Sequence, residues 1–244
     1  MLPTLEGTVA RRVLLNFRAD PTVVRRLVAE PLEVETVKGY AVVGVCLMRL
    51  VQLRVKGMPP GMGFASENMA HWVAVRFPAG SGSEDGVFIW RRETDSGLLA
   101  QLGGKLFPAE FNRAQFAVKE DSFGLSIEVS TEHSRADVSL LARHTQGWGG
   151  SELFPAFPEV SHFFRRGECA FTCAGRDGAL EGVRLHALRW EMAPLEVSTA
   201  RAYFFEQPEY FSPGSVAFDS AVVMRGIPHE WHLIDRVPEL AGAM

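Results

Sequence analysis

The stretch FRADPTVVRRLVAEPLEVETVKGYAVVGV, residues 17–45, holds a short helix followed by a β-hairpin, and this order of elements decides the fold class. Asp20 at the N-cap and Pro21 at the first helical position are the expected start of a helix. Pro31 ends that helix because it lacks a backbone N–H. Apolar and polar residues then alternate up to a Lys-Gly turn, and the apolar run 40–47 follows, which predicts a hairpin.

Strand patterns dominate the rest of the chain. Residues 68–77 and 86–93 alternate on either side of a Gly/Ser-rich loop and predict a second hairpin. Helices are predicted over residues 96–106 and around 159–166. Strands joined by turns and interrupted by only two or three helices indicate a mainly antiparallel α+β fold. No low-complexity linker divides the chain, and we expect a single domain over residues 1–244.

Composition and charge narrow the classes of function. The net charge of -4, from 25 basic and 29 acidic residues, leaves no basic field for nucleic acid, and we expect no nucleic-acid partner. The longest apolar stretches, such as residues 40–48, fall short of the roughly 20 residues that span a bilayer. We therefore expect no membrane partner, and the absence of a secretory signal pattern predicts a cytoplasmic location. Three cysteines, an odd number, suit a reducing compartment.

Several segments, in order along the chain, resemble the acetoacetate decarboxylase-like superfamily. The segment EPLEV after the Arg-rich helix is similar to a superfamily signature, and GFASENMAHWVAVRF is similar to the segment that carries its active-site glutamate. Later segments resemble an uncharacterised bacterial branch of the superfamily. The similar segments are residues 17–45, 63–77, 95–111, 178–205 and 218–232.

The resemblance implies mainly antiparallel, curved β-sheets around an interior pocket with two or three flanking helices. It also implies a Schiff-base lysine, with its pKa lowered by desolvation and a nearby cation, that attacks a ketone. By position, Glu67 corresponds to the active-site glutamate. The superfamily's lysine follows an aromatic-Pro pair, which here is Phe107-Pro108, and Ala109 and Glu110 come after it. The expected lysine is therefore missing at that position, with Glu67 and Glu110 as catalytic candidates and Phe107 as a substrate-binding one.

Four further residues are candidates for the same pocket. The resemblance implies an arginine on the first strand that holds the substrate carboxylate, and either Arg11 or Arg12 fits. Lys105 lies three residues before Pro108 and either replaces the missing nucleophile or is a solvated lysine at a helix end. His186 lies in a predicted strand and is either a general base or ligand-orienting group, or an ordinary core or surface histidine.

No cofactor or metal is expected from the sequence. His229 and His232 are three residues apart, but no neighbouring cysteine or carboxylate pair completes a zinc site. The sequence contains no Gly-rich phosphate loop and no Ser nucleophile elbow. The aromatic segment SELFPAFPEVSHFF, residues 151–164, indicates either core packing or an aromatic lining for an apolar ligand.

These observations favour a single-domain protein that takes a small-molecule ligand in an interior pocket and lacks Schiff-base decarboxylase activity. If it is an enzyme, we expect acid/base chemistry on a carbonyl or carboxylate compound, with Glu67 as the acid or base. One alternative is a non-catalytic binding protein for a small apolar or carbonyl ligand. Another is a decarboxylase or aldolase-type enzyme that uses a relocated Lys105. The sequence leaves the identity of the substrate and the formation of a homo-oligomer open.

Overall fold

Most of the described chain is β-strand. The computed structural model describes residues 4–102, 110–132, 134–174 and 179–234. Within these residues the strands are β1 (Leu5–Ala19), β2 (Glu33–Val34), β3 (Thr36–Val37), β4 (Tyr40–Val55), β5 (Phe64–Ala79), β6 (Gly82–Thr94), β7 (Asn112–Glu120), β8 (Gly124–Thr131), β9 (Val138–His144), β10 (Cys169–Ala174), β11 (Ala179–Ala187), β12 (Ala193–Ala202) and β13 (Val216–Ile234). The helices are α1 (Pro21–Arg25), α2 (Gly97–Leu102) and α3 (Phe157–Arg166), with a short 3-10 helix at Tyr203–Glu206.

The opening segment folds as its cap and turn residues predict, with two differences. The helix α1 ends at Arg25, well before Pro31, which the sequence predicts as its end. Asp20 caps α1 by accepting a hydrogen bond from the Thr22 backbone N–H at 2.8 Å. The predicted strand over residues 32–37 is divided, because β3 pairs with β4 whereas β2 pairs with β5. The division falls at Glu35, whose backbone N–H donates to the Ala74 carbonyl at 2.9 Å. This bond ties the start of the hairpin to a strand that the local pattern does not specify.

Five strands form a central sheet, which we call the wall, and other elements cover each of its two faces. Their order is β13-β1-β4-β5-β6, and all four pairings are antiparallel. At one edge of the wall, the middle of β6 pairs with β10 and the end of β6 pairs with β7, both in parallel. At the other edge, β13 pairs with β11 and with β12. The wall therefore has β10 and β11 on one side and β7, β8, β9 and β12 on the other.

This arrangement confirms the predicted α+β class. Three helices accompany a large mixed sheet within the described residues, and parallel pairs occur only where β6 meets β10 and β7. Within the same residues, none of the helices has the length and apolar character that crossing a membrane requires.

Alternation along the wall strands sends side chains into two separate cores. On β1, Val13, Leu15 and Phe17 belong to the core that also contains residues of β8, β9 and β12. Leu14 belongs to a second core, which it shares with residues of α3. We call the first side of the wall, covered by β7, β8, β9 and β12, the packed side. The second side, covered by β10, β11 and α3, is the cavity side.

A register shift changes which residues of β6 face each side of the wall. The pairing of β5 with β6 shifts next to His71, so that β6 carries one extra residue at Trp90. As a result, Trp90 and Arg91 both contact Phe204 on the packed side, with a ring-centroid distance of 5.5 Å and a guanidinium-to-ring distance of 5.7 Å. The next residue, Arg92, turns to the cavity side.

Candidate ligand-binding site

The two adjacent arginines of β1 face opposite sides of the wall. Arg11 faces the packed side, where its Nη2 lies 2.7 Å from Glu67 Oε2. Arg12 faces the cavity side and lines a cavity there. Both are candidates from the sequence, and strand alternation gives them different environments.

On the packed side, charged residues form a row across neighbouring strands. Arg225, Arg11 and Arg49 lie directly opposite one another on β13, β1 and β4. Glu67 contacts Arg11 at 2.7 Å and Arg49 at 3.7 Å. Glu120 contacts Arg11 at 3.2 Å and Arg225 at 2.5 Å. Because Glu120 belongs to β7, this row of ion pairs ties the covering layer to the wall.

Glu67 is a buried carboxylate held in ion pairs, with only 8% of its surface exposed. Burial raises the pKa of the Glu67 carboxyl, and the neighbouring Arg11 and Arg49 guanidiniums oppose that rise. Glu67 is not among the residues that line the cavity. Its predicted role as an acid or base stays a prediction.

A second polar group lies deeper on the packed side. Arg91 Nε lies 2.6 Å from Glu93 Oε1, and Arg91 Nη2 lies 2.9 Å from Asp137 Oδ2. His71 Nδ1 lies 3.9 Å from Glu93 Oε2, and the His71 ring is 5.0 Å from the ring of Phe204. Burial raises the pKa of Glu93 to about 7 and lowers the pKa of His71 well below its usual value. His71 is therefore an uncharged core residue at neutral pH.

The cavity side contains a cavity of about 150 Å³, enclosed by the wall, β10, β11 and α3. Its lining is mostly apolar. The apolar lining residues include Leu14, Cys46, Met48, Leu50, Ile89, Phe163, Phe164 and Leu185. Arg12, Asn68 and Arg92 add polar groups from the wall strands. A mostly apolar lining with a few placed polar groups is typical of a small-molecule site.

These three polar residues come from three different strands of the wall. Arg12 is opposite Met48, and Met48 is opposite Asn68. Arg92 is opposite Ala70, which is two residues from Asn68 along β5. In the strand direction the three residues lie at the same end of the wall, whereas across the sheet Arg12 and Arg92 are three strands, roughly 14 Å, apart at the backbone.

The two guanidiniums at this end have no carboxylate partner among the described residues. Arg92 is 8% exposed, and burial lowers the pKa of its guanidinium to about 10. Arg12 Nε is buried and, within the described part of the chain, has no hydrogen-bond partner. Burying a cation without a partner is costly, whereas an anion placed against it offsets that cost. This end of the cavity is therefore suited to an anionic group.

The other end of the cavity is acidic. Glu35, Asp85 and Glu168 line it. Arg166 of α3 lies 2.7 Å from Asp85 and 3.4 Å from Glu35, and it offsets part of this negative charge. Burial, with a contribution from Asp85, raises the pKa of Glu35. The sequence candidate His186 lies just outside this end, with its Nδ1 3.7 Å from Glu168 Oε2.

Two predicted site residues, His186 and Glu110, are exposed. Leu185 and Ala187, the neighbours of His186 on β11, line the cavity, and alternation turns His186 itself away from it. Glu110 also is not a lining residue. Their predicted roles in the pocket have no support from their positions.

Lys105 and Phe107 lie outside the described residues, and so do Pro108 and Ala109. The predicted lack of a nucleophilic lysine in this segment therefore stays a prediction, as does the alternative role of Lys105. Leu99 and Phe111, on either side of this gap, both line the cavity.

Sequence reasoning missed Arg92 as a site residue. The Arg91-Arg92 doublet is visible in the sequence, but alternation alone does not say which of the two faces a pocket. The extra residue in β6 decides the facing, and it arises from pairing with β5. The aromatic segment after residue 150 serves both as core and as cavity lining. Phe163 and Phe164 line the cavity, whereas Phe154 packs against Phe163 with a ring-centroid distance of 5.1 Å.

The fold and the cavity define a class of α+β proteins in which a shared sheet separates a packed core from a cavity of small-molecule size. Residues 7–221 match the model of the DUF2071 family, described as uncharacterized conserved protein (COG2071). The match spans most of the chain, and the protein belongs to the DUF2071 family. A comparison with curated proteins gives no match.

Solved structures with the same fold include three that cover nearly the whole chain. Acetoacetate decarboxylase from Legionella pneumophila is 13% identical, with a TM-score of 0.59 over 96% of this chain and 88% of that one. An acetoacetate decarboxylase-like enzyme from Sphingomonas wittichii RW1 is 15% identical, with a TM-score of 0.60 over 96% and 92%. The enduracididine biosynthesis enzyme MppR, complexed with pyruvate, is 12% identical, with a TM-score of 0.58 over 97% and 92%. These likenesses show that the fold is acetoacetate decarboxylase-like.

Proposed function

We propose that this protein binds a small carboxylate with an apolar body in the cavity on the cavity side of the wall. The observation that carries the proposal is the buried Arg92 guanidinium, which lines the cavity and has no carboxylate partner among the described residues. A guanidinium offers a planar fork of N–H donors that matches a carboxylate. The apolar lining suits the remainder of the ligand.

The position of Glu67 on the packed side favours a binding function over acid/base catalysis by this residue. Glu67 is held by Arg11 at 2.7 Å on the opposite side of the wall from the cavity. Asn68, the polar neighbour that does line the cavity, is an amide and does not titrate. One of the similar solved structures, MppR, contains pyruvate, which is a small carboxylate. We therefore place the proposed ligand with its carboxylate at Arg92.

Isothermal titration calorimetry with small monocarboxylates, including pyruvate and acetoacetate, tests this proposal. We expect at least one of them to bind the wild-type protein and to bind Arg92→Met at least about tenfold more weakly, as expected for loss of a charge-assisted hydrogen bond. Arg18→Met is the matched control, because Arg18 lies on β1 but does not line the cavity. Equal affinity for wild type and Arg92→Met, or no binding across the panel, would contradict the proposal.

A second candidate function is imine chemistry at Lys105, and one observation favours it. Leu99 and Phe111 line the cavity on both sides of the chain segment that contains Lys105. In this chemistry a lysine amine adds to a ketone and water leaves, and borohydride then reduces the imine to a stable secondary amine.

Borohydride trapping with acetoacetate or pyruvate, read out by intact mass, tests this candidate. An adduct that disappears in Lys105→Ala but persists in Lys119→Ala supports it, since Lys119 is exposed on β7. No adduct in the wild-type protein, or an adduct that survives Lys105→Ala, rejects imine chemistry at Lys105 for these substrates.

A further inference from the structure

Aromatic side chains line the cavity from several separate elements. Trp72 belongs to β5, Phe163 and Phe164 belong to α3, Trp190 follows β11, and Trp231 belongs to β13. A ligand in the cavity therefore meets ring faces or edges on more than one side. This lining is independent of the arginines on which the proposed function depends.

Contacts hold several of these rings in place. Trp190 Nε1 donates to Ser161 Oγ of α3 at 3.0 Å. The Trp72 ring meets the Phe164 ring edge to face, with a centroid distance of 5.6 Å. Gly44 of β4 leaves room for the Trp72 indole, because a Cβ at that position would lie 2.5 Å from Trp72 Cζ2. The aromatic lining is thus a fixed surface.

The size of the cavity limits the ligand. Its volume is about 150 Å³. An apolar protein cavity of about 150 Å³ holds a ligand the size of benzene. One six-membered ring fits such a space.

We propose that the ligand is a monocyclic aromatic carboxylate of the benzoate class, with its ring among the aromatic side chains and its carboxylate at Arg92. This inference rests on the proposed function, and it adds the chemical class of the ligand's body. Ring-to-ring contacts in edge-to-face or offset geometry contribute beyond the area they bury, which favours an aromatic ring over a saturated ring of the same size by about threefold to tenfold in affinity.

A calorimetric comparison of four ligands tests the inference at one pH. The ligands are benzoate, cyclohexanecarboxylate, pyruvate and benzyl alcohol. We expect benzoate to bind at least about threefold more tightly than cyclohexanecarboxylate, and more tightly than pyruvate. Benzyl alcohol keeps the ring but lacks the charge, and we expect it to bind at least about tenfold more weakly than benzoate.

Two variants separate the contributions of the ring and of the charge. Trp190→Leu is expected to weaken benzoate binding more than cyclohexanecarboxylate binding, so that the ratio of the two affinities falls. Arg92→Met is expected to weaken both carboxylates equally. Circular dichroism of each variant checks that it is folded, and the ratio of benzoate to cyclohexanecarboxylate affinity in the wild-type protein tests the inference without any variant.

The outcomes distinguish this inference from the proposed function. If cyclohexanecarboxylate or pyruvate binds as tightly as benzoate, and binding depends on Arg92, the aromatic class is wrong and the carboxylate proposal stands. If benzyl alcohol binds as tightly as benzoate, the ring is recognised but the role of the arginines is wrong. If none of the four binds, both proposals fail.

Discussion

The two sides of the wall treat the same kind of residue in different ways. On the packed side, Arg11 lies between Glu67 and Glu120, within 2.7 Å and 3.2 Å. On the cavity side, Arg12 and Arg92 have no carboxylate partner among the described residues and line an open space. The paired arginine joins two layers of the fold, whereas the unpaired arginines are available to a ligand. A difference of one position along β1 separates these roles.

The packed side also carries a buried polar group that faces no cavity. Arg91 lies between Glu93 and Asp137, and His71 lies beside Glu93 under the ring of Phe204. The arginines of this side are thus paired with carboxylates of the protein itself. The comparison teaches that a perturbed carboxyl in this fold is not by itself a sign of the ligand site.

The largest effect is expected from breaking the packed-side row. Arg11→Met removes the nearer of the two partners of the buried Glu67 and one partner of Glu120, and we expect it to lower the free energy of unfolding by about 3 kcal/mol. Urea denaturation followed by circular dichroism measures this change. Arg18→Met, on the same strand, is the control and should stay within about 0.5 kcal/mol. A loss below about 1 kcal/mol for Arg11→Met would mean that the row does not join the layers.

The next effect concerns pH and Glu93. Burial raises the folded-state pKa of Glu93 from 4.5 to about 7, so its contribution to stability is present below pH 4.5 and is lost as pH rises through about 7. Glu93→Gln lacks this loss. Relative to wild type, we expect the variant to gain up to about 3 kcal/mol of unfolding free energy between pH 4.5 and pH 8.

Denaturation of both proteins across this pH range measures the difference between them. His71 and His229 change stability in the opposite sense, because burial lowers the pKa of each. His229 contributes to both proteins alike, whereas His71 lies 3.9 Å from Glu93 Oε2 and its titration changes together with that of Glu93. Parallel stability profiles for wild type and Glu93→Gln would show that the Glu93 carboxyl does not titrate in this range.

A smaller effect on stability is expected from a substitution of Gly44, which lies on β4 of the wall. A Cβ on Gly44 would lie 2.4 Å from the Leu15 carbonyl oxygen and 2.5 Å from Trp72 Cζ2, closer than atoms approach in folded proteins. We expect Gly44→Ala to cost about 2 kcal/mol of stability and to weaken carboxylate binding, because Trp72 must move in the cavity. Gly82→Ala is the matched control, since a Cβ there meets nothing within 4 Å. Unchanged binding by Gly44→Ala would show that Trp72 does not shape the site.

The smallest effect on stability is expected from Arg92→Met. Removing a buried cation without a partner should leave the free energy of unfolding of the ligand-free protein unchanged or raise it by about 1 kcal/mol. The same substitution is expected to abolish stabilisation by a bound carboxylate, which follows mass action. Thermal denaturation with and without ligand measures both. A loss above about 2 kcal/mol in the ligand-free protein would place Arg92 with the structural arginines of the packed side.

Much of the fold could be predicted from local patterns. The Asp20 cap, the turn before β4 and the helix over 157–166 all depend on residues close together in the chain. The division of residues 32–37 into two strands could not be predicted, because it depends on the bond from Glu35 to Ala74 of β5. Hydrogen bonds between distant strands leave no periodic signal in either strand alone.

The site could be predicted only in part, for the same reason. The sequence places arginines on the first strand, and alternation requires that Arg11 and Arg12 face opposite ways. It does not say which side is filled by other strands and which encloses a cavity. That depends on β6 and β13, whose edges each pair with two different strands.

By itself, the sequence determined the α+β class and the positions of several strands and helices along the chain. It also determined which charged and aromatic residues each of these elements carries. Only the tertiary structure decided that Glu67 is paired with Arg11, that one extra residue in β6 turns Arg92 toward the cavity, and that His186 faces outward. The physical reason is that local periodicity specifies two faces for each strand, whereas the burial and partners of each face depend on strands far away in the chain.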